Sequence, residues 1–368
     1  MPTALLRAAS KTEQVADYVR NQISKGELKA GDCLLAEGRM AKELGISLVT
    51  IRRGMKILAD EGLIERIQGK GTFVCDQPEV AREMAASLAP ISLCYPAVSG
   101  GVRFDPFLGP LIDGMQDVMS ARGIPFQLRG TVPGKFFPDE PDLQQFFASS
   151  RGGIVSVNHR LTPEEAKVLN EVGIPHVQVG APTAERIPSV HVDHFRGGFI
   201  AGLHLIQQGC TRPVLVLGNF DTQSYCLDIV RGFRSACDAH SLPFSDECVH
   251  ENRNNDPNEY VRDLMARLSG RDFDSMLVFG DTVVIEVLHA LQQQNRQIPD
   301  DVALLSYNNF VLVNAHRRPR ISAVEQPVVD LGREAARLIM QPGILRATRL
   351  QKLLEPKLIV RESTLRSS

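Results

Sequence analysis

Basic side chains are concentrated near the N-terminus of this chain, where their spacing suits one face of a helix. Between Arg39 and Lys56 there are five basic residues and one acidic residue, Glu43. Residues three and four apart share a helix face, which places Arg52, Arg53 and Lys56 near one another on an outer surface. Such a face can bind phosphates, and its arginines can read guanine in a DNA groove. The alternative for these side chains is an ordinary solvated face.

Three helices are predicted to carry this basic face. Apolar residues recur at helical spacing over 12–25 and 37–44, and again from position 48 to about 61. Gly45 has the position of a C-cap glycine, and Ser47 that of an N-cap. Two short helices joined by a tight turn that contains glycine are typical of a helix-turn-helix.

A β-hairpin is predicted directly after the third helix. Residues 63–67 and 72–74 have strand character, and 68–71 form the tip between them. A hairpin in this place acts as a wing. Gly69 and Gly71 allow Lys70 and the backbone to approach a phosphate closely, and Arg66 is expected to contact phosphate or the minor groove.

Five motifs in this region resemble, in order and spacing, the GntR-type winged helix over residues 12–75. They are Gly31-Asp32, Leu44-Gly45-Ile46-Ser47, Thr50-Ile51-Arg52-Arg53, Glu61-Gly62-Leu63-Ile64 and Gly69-Lys70-Gly71-Thr72-Phe73-Val74. The resemblance implies binding of a double-stranded DNA operator as a homodimer. Where the family often has arginines, this chain has Gly38 and Leu48. The residues expected at DNA are Arg39, Ser47, Val49, Thr50, Arg52, Arg53, Lys56, Arg66 and Lys70.

Charge and composition separate this basic head from an acidic body. Residues 1–75 hold 12 Lys and Arg against 9 Asp and Glu, whereas residues 76–368 hold 29 against 34. No apolar stretch approaches the roughly 18 residues that a membrane span needs. The first residues lack a secretory signal, so we expect a cytoplasmic protein. The seven cysteines form no CxxC pair, and we expect them to be reduced, mostly buried apolar side chains.

Alternating strand-like and helix-like segments follow a predicted linker at 76–90. Strands are expected at 91–95, 154–157, 176–179, 214–217, 276–279 and 302–306, and helices at 110–122, 163–172, 195–208, 228–240 and 282–294. This alternation predicts a doubly wound α/β architecture. Residues 91–368 are long enough for two lobes, about 91–190 plus 320–342 and about 191–319 plus 343–365. A ligand is expected between the lobes.

The body resembles the LacI-type, periplasmic-binding-protein-like effector domain over about 91–364. The segments that carry the resemblance are Asp105-Pro106-Phe107-Leu108, Val192-Asp193 with Gly197-Gly198, Arg231-Gly232-Phe233, Phe279-Gly280-Asp281, 298–309, Glu325-Gln326-Pro327 and 358–364. A GntR-type head on such a body is similar to the arabinose-repressor type of regulator. The resemblance implies a repressor controlled by a small-molecule effector, with a sugar as the usual class.

Three positions depart from the family's sugar-binding pattern: Ile229, Gly280 and Asn308 stand where an arginine, an asparagine and an aspartate are usual. A less polar or differently charged effector therefore stays open. The candidates for ligand contact are Phe107, Asn158, Asn219, Arg231, Asp281 and Asn308. Phe107 can stack on a ring or simply pack in its loop, and Asp281 can bind ligand or cap a helix.

Other function classes lack their motifs. The sequence contains no GxGxxG, GxxxxGK[ST], HExxH or GxSxG, so we expect no enzyme. The histidines of the body have no metal-ligand spacing, and no metal or cofactor is expected. Three readings remain: a regulator with a small-molecule effector, a regulator with a protein effector or no small-molecule response, and an α/β enzyme.

Overall fold

The computed structural model describes residues 11–24, 27–29, 31–60, 63–67, 70–75, 90–96, 106–132, 134–219, 225–254, 256–309, 319–341, 343–346 and 350–366. The predicted linker at 76–90 lies outside this part of the chain, apart from Pro90. No helix within the described ranges is long and apolar enough to cross a membrane.

The head is a winged helix-turn-helix. Its elements are α1 (Lys11–Ser24), α2 (Glu37–Leu44), α3 (Leu48–Asp60), β1 (Ile64–Ile67) and β2 (Gly71–Val74). The two strands pair antiparallel, with Ile67 opposite Gly71, and Cys33 forms a bridge to Phe73 on the other edge of β2. Apolar side chains from all three helices and the hairpin meet in one buried core, including Val15, Met40, Ile51, Met55 and Val74. The predicted head fold is confirmed.

Two residues set the turn between α2 and α3. Gly45 adopts a left-handed conformation with φ +63°, and its N–H donates to the carbonyl of Ala41. Glycine reaches this region without the steric penalty of a side chain. Ser47 Oγ then accepts the N–H of Thr50 at 3.2 Å and begins α3. The helix end and the next helix start predicted from sequence are therefore both present.

The body alternates strands and helices as predicted. Its elements are β3 (Ile91–Pro96), α4 (Leu108–Met119), β4 (Phe126–Thr131), α5 (Asp142–Ser149), β5 (Ile154–Val157), α6 (Pro163–Glu171), β6 (His176–Val179), β7 (Ser189–Val192), α7 (His194–Gln207), β8 (Pro213–Leu217), α8 (Cys226–Ala239), β9 (Val249–Glu251), α9 (Pro257–Arg267), β10 (Ser275–Phe279), α10 (Asp281–Gln293), β11 (Ala303–Tyr307), β12 (Ser322–Glu325), α11 (Val328–Ile339), β13 (Gln351–Leu354) and β14 (Lys357–Ile359).

Two six-stranded sheets form the cores of the two lobes. The first has the order β13-β7-β6-β5-β3-β4 and is parallel throughout. The second has the order β14-β12-β11-β10-β8-β9, and β14 alone runs antiparallel to its neighbour. The buried strands are rich in valine, leucine and isoleucine, as strands covered on both faces are. The predicted doubly wound, two-lobed architecture is confirmed.

The sheet order corrects the predicted limits of the lobes at two places. Residues 320–342 were expected in the first lobe, but β12 lies in the second sheet, where Leu305 of β11 pairs with Ser322. Residues 343–365 were expected in the second lobe, but β13 lies in the first sheet, where Gln351 pairs with Ser189. The chain therefore passes between the lobes after β12 and again after β13.

The crossings between lobes identify the edges that face each other. The chain leaves the first sheet at the carboxyl end of β7 and enters α7 of the second lobe through Asp193. It returns from the carboxyl end of β12 through Gln326 and Pro327 into α11, which packs on the first sheet. These two crossings and the third, from β13 to β14, all leave from carboxyl ends, so the carboxyl edges of the two sheets meet at a cleft. Ligands of open α/β sheets bind beyond these edges.

Each lobe contains one pair of helices that pack closely through glycines. In the first lobe α4 packs against α11, and a Cβ placed on Gly114 would lie 1.9 Å from the carbonyl oxygen of Val329. In the second lobe α7 packs against α8, and a Cβ on Gly232 would lie 1.9 Å from the carbonyl oxygen of Phe195. These glycines bring the helix backbones into direct contact, which no larger residue permits.

Candidate nucleic-acid interface and effector cleft

The outer face of α3 is basic and open. A shallow surface groove is lined by Val49, Arg52, Arg53, Lys56 and Ala59 of α3 and by Arg66 of the wing. Val49 is 58% exposed on this surface. Five of the residues predicted to contact DNA therefore lie on one surface, where α3 meets the wing.

A carboxylate that sequence reasoning missed connects this surface. Glu37, the first residue of α2, accepts from Arg52 Nε at 3.1 Å and from Arg66 Nη2 at 2.5 Å. Its side chain is 23% exposed, against 63% for Arg52 and 51% for Arg66. Glu37 thus connects Arg52 of α3 to Arg66 of the wing. The sequence separations of 15 and 29 residues gave no periodic signal for these pairs.

The remaining predicted DNA contacts divide into two groups. Ser47 and Thr50 share a hydroxyl hydrogen bond of 2.8 Å at the start of α3, and Thr50 is half-buried, so both side chains also maintain the helix start. Arg39 lies on α2, is exposed, and pairs with Glu43 at 3.2 Å. Lys70 is exposed in the turn before β2, whereas its neighbours Gln68 and Gly69 lie outside the described residues.

The predicted ligand residues fall on both sides of the cleft. In the second lobe Asn219 follows β8, Asp281 follows β10 and Asn308 follows β11, which are three adjacent parallel strands. They therefore share the carboxyl edge of one sheet. In the first lobe Asn158 follows β5 and is exposed with φ +56°, and Phe107 is half-buried against the lobe core.

Asn308 contacts the crossing that leads from β12 to α11. Its N–H donates to the carbonyl of Val324 at 3.0 Å, and its Oδ1 accepts from Gln326 Nε2. It is 8% exposed and lines a cavity of about 280 Å³ that includes Pro110 of the first lobe and Lys357 of the second. The side chain therefore links the end of β11 to the crossing from β12 to α11.

The positions that depart from the sugar-binding pattern have clear local roles. Ile229 is fully buried, and its backbone lies against Gly198 of α7. Arg231 points outwards, is 69% exposed, and pairs with Asp228 at 3.0 Å. Gly280 has φ +96°, a conformation that L side chains rarely adopt, and it directly precedes α10. Asp281 is therefore the first helical residue rather than the N-cap that one reading expected.

An aromatic cluster, not foreseen from sequence, occupies the carboxyl edge of the second sheet. We define it as His194, Tyr225, Phe279 and Tyr307. The rings of His194 and Tyr225 stack at 4.5 Å, and Phe279 lies 5.8 Å from Tyr225 and 5.9 Å from Tyr307. His194 Nδ1 and the Tyr307 hydroxyl are 3.0 Å apart and form a hydrogen bond.

Burial keeps this cluster uncharged. It lowers the pKa of His194 to about 3, with a smaller contribution from His191. It also raises the pKa of Tyr307 well above its usual range. At neutral pH the imidazole is therefore neutral and the phenol protonated, and the two groups share one hydrogen bond.

The cysteines and histidines of the described residues make no metal centre, since no group of three or more His, Cys, Asp or Glu side chains there could hold a metal ion. Burial raises the pKa of Cys94 and Cys226 to about 12. Four cysteines are buried, as expected, but Cys33 is exposed beside the wing.

Two family models match the chain. Residues 11–74 match the model described as bacterial regulatory proteins, gntR family. Residues 203–364 match the periplasmic binding protein-like domain. The chain joins a GntR-type head to a periplasmic-binding-protein-like body. The basic groove lies in the GntR-type head, and the aromatic cluster, apart from His194, lies within the matched part of the body.

Curated relatives align with most of the chain. The arabinose metabolism transcriptional repressor of Geobacillus stearothermophilus is 24% identical over 365 residues, which are 95% of this chain and 96% of that protein. The transcriptional regulator CelR of Thermobifida fusca is 27% identical over 267 residues, covering 70% of this chain and 76% of that protein.

Solved structures agree with the fold. A CelR–cellobiose complex aligns with a TM-score of 0.63 at 20% identity, over 90% of this chain and 100% of that chain. A LacI family regulator from Enterococcus faecium with bound ribose aligns with a TM-score of 0.61 at 19% identity, over 74% of this chain and 98% of that chain. At these identities the likeness establishes the fold.

Proposed function

We propose that this chain is a DNA-binding transcriptional repressor whose operator affinity is controlled by a small molecule held between the two lobes of its body. The observation that carries the proposal is the basic groove where α3 meets the wing, lined by Arg52, Arg53, Lys56 and Arg66. Relatives that share both parts of the chain are named as transcriptional repressors, which supports the sign of regulation.

In this proposal α3 enters the major groove of the operator. Thr50 and Arg52 reach base edges, because they lie near the exposed start of the helix. Arg66 and Lys70 of the wing bind phosphate or the minor groove. Arg39, Ser47, Val49, Arg53 and Lys56 complete the contact surface. Contacts to phosphate fix the register, and the contacts to base edges give the sequence preference.

The effector binds where the carboxyl edges of the two sheets face each other. Phe107 and Asn158 contribute from the first lobe, and Asn219, Asp281 and Asn308 from the second, whereas the predicted contact Arg231 faces outwards and is not part of this site. We expect binding to change the angle between the lobes, because Asn308 at the cleft bonds to Gln326 in the crossing from β12 to α11. A change of lobe angle alters the separation of two heads in a dimer, and affinity for ligand and DNA are then coupled reciprocally.

The regulator works as a cytoplasmic homodimer without an enzymatic activity of its own. One winged helix buries too little surface for tight and specific binding, so two heads on a two-fold operator are required. The relatives named as regulators support a non-catalytic role for the body. Sedimentation of the purified chain with and without operator DNA tests the dimer.

A second candidate function is a regulator with a protein effector or no small-molecule response. Buried Ile229 and outward-facing Arg231 favour it, because neither offers a cation to a ligand in the cleft. Thermal unfolding against a panel of small molecules separates the two candidates, since a bound ligand raises the apparent stability. A raised unfolding temperature with any compound excludes the second candidate.

Mobility shift of the purified protein with its own upstream DNA, followed over a salt titration, tests the DNA proposal. We expect specific retardation that weakens with salt and is lost in an Arg52→Ala Arg53→Ala variant. A Lys167→Ala Arg262→Ala variant is the matched control, since it removes two exposed positive charges from the body. Equal loss in both variants would mean that the head is not the DNA reader.

A further inference from the structure

An exposed apolar pair begins the basic helix α3. Leu48 and Val49 are the first two residues of α3, and their exposed fractions are 39% and 58%. Leu48 lies four residues and Val49 three residues before Arg52, so both share a helix face with that arginine. Val49 also lines the basic groove together with Arg52 and Arg53. Two aliphatic side chains therefore adjoin the surface that we propose for DNA.

The polar side chains around this pair already have partners within the head. Ser47 Oγ accepts the N–H of Thr50 at 3.2 Å and lies 2.8 Å from Thr50 Oγ1. Arg52 Nε donates to Glu37 at 3.1 Å. In a helix-turn-helix, the N-terminal residues of the helix that enters the major groove contact the base edges. The first two residues of α3 are therefore placed at the bases, where their side chains can offer only apolar contact.

We propose that Leu48 and Val49 contact the C5-methyl group of thymine, so that each operator half-site carries a T·A pair opposite the start of α3. The inference rests on the proposed function and names the base that this part of the head reads. The C5-methyl group of thymine is the apolar group that base pairs show in the major groove. Packing it against two exposed aliphatic side chains removes apolar surface of both partners from water.

A G·C pair is a poor partner for the same side chains. In the major groove guanine presents the acceptors N7 and O6, and cytosine presents an amino donor. Leu48 and Val49 packed against these groups would displace their water without replacing its hydrogen bonds, and an unpaired polar group is costly. The apolar pair therefore favours thymine by contact and disfavours G·C by the loss of hydration.

Removal of the methyl group from the DNA gives a direct test. Selection from a random-sequence duplex library with the full chain yields a consensus site. Each consensus thymine is then replaced in turn by deoxyuridine, which lacks only the C5-methyl group, and the affinity is measured by fluorescence polarisation. In each half-site we expect at least one position where the replacement weakens binding about fourfold, which corresponds to about 0.8 kcal/mol for one buried methyl group.

Variants of the head then assign that position to the apolar pair. In Leu48→Ala Val49→Ala the deoxyuridine replacement should change the affinity by less than about 1.5-fold, because the contact with the methyl group is gone. Val172→Ala Leu227→Ala removes an exposed valine and an exposed leucine from the body and is the matched control, in which the fourfold loss remains. Leu48→Arg should change the preferred pair at this position from T·A to G·C by at least about fivefold, since arginine can donate to N7 and O6 of guanine.

Salt dependence separates an apolar contact from a charged one. Loss of an apolar contact releases no counterions, so the slope of log K against log salt should be the same in Leu48→Ala Val49→Ala and in the wild type. The slope should become shallower in Arg52→Ala Arg53→Ala, by about 0.9 for each phosphate contact that is lost. Circular dichroism establishes that each variant is folded before it is titrated.

Three results would overturn the proposal. They are a consensus site in which no thymine methyl group affects binding, the same deoxyuridine loss in Leu48→Ala Val49→Ala as in the wild type, and a shallower salt slope in that variant. Each of these results is obtained with a selected site, so the proposed DNA-binding function would stand while the thymine contact fell. A selection that enriches no sequence with the folded protein would refute specific DNA binding and this inference with it.

Discussion

Glu37 connects Arg52 and Arg66 on the proposed DNA-binding face, and its substitution should separate affinity from specificity. In Glu37→Gln the side chain keeps its shape but no longer carries the charge that holds Arg52 at 3.1 Å and Arg66 at 2.5 Å. Both guanidinium groups are then free to find phosphates. We expect binding to unrelated DNA to become tighter and the preference for the operator to fall.

The structure bounds the size of these effects. The two arginines are 63% and 51% exposed, and each exposed ion pair contributes about 0.2–1 kcal/mol, so loss of both pairs should lower the free energy of unfolding by no more than about 2 kcal/mol. Each phosphate newly contacted by a freed arginine steepens the slope of log K against log salt by about 0.9. A correctly aimed arginine is worth about 1–3 kcal/mol of base discrimination, so the operator preference should drop about tenfold.

Fluorescence polarisation with operator and scrambled duplexes, repeated at four salt concentrations, measures both quantities. Glu43→Gln is the matched control, because it removes an acid from the same helix that pairs with Arg39 outside the groove. Its operator preference should stay within about twofold of the wild type, which corresponds to a fraction of a kcal/mol. If the two variants lose preference equally, Glu37 acts only through general charge and the positioning argument is wrong.

Three further predictions concern stability and use chemical unfolding of the full chain. Gly114→Ala should destabilise the body by several kcal/mol, because the added Cβ would lie 1.9 Å from a carbonyl oxygen. In the control Gly109→Ala, in the same helix, the added Cβ meets nothing, so this variant should be neutral or more stable by about 0.5–1 kcal/mol. Equal effects of the two variants would contradict the close-packing argument. Ser47→Ala should cost about 1 kcal/mol through the lost cap, and an unchanged midpoint of the head transition would count against that cap. Burial lowers the pKa of His194 to about 3, so below about pH 6.5 the unfolded chain binds a proton that the folded chain does not. The free energy of unfolding should therefore fall progressively from about pH 6.5 to pH 3, and His194→Phe should flatten this part of the pH profile. A profile unchanged in that variant would mean that the imidazole is already solvated.

Local signals in the sequence predicted much of the fold. The bounds of α2 and β6 agree with the structure to the residue, because caps and buried apolar runs are determined by neighbouring positions. The C-terminal part of the body, from β12 onwards, was harder to predict from sequence. β12 and β13 are short, and either sheet can accept them, so only the pairing of Leu305 with Ser322 and of Gln351 with Ser189 decides which lobe each joins.

The same contrast between local signals and contacts of distant residues applies to the candidate sites. The basic side chains of α3 share one helix, and their common surface could be predicted from spacing alone. Glu37 and the aromatic cluster depend on contacts between residues far apart in sequence, with His194 and Tyr307 separated by 113 positions. Periodicity carries no information about such contacts. The departures at Ile229 and Gly280 were visible in the sequence, but the buried rings beside them were not.

Reciprocal coupling between effector and operator tests the central claim most directly. The dissociation constant of a ligand that raises the unfolding temperature should be measured with the free protein and with the protein saturated by operator DNA, and the operator affinity should be measured with and without that ligand. Control of DNA binding by the cleft predicts that both ratios agree, at about 5–150-fold. A ligand that binds equally well to free and operator-bound protein would contradict the account.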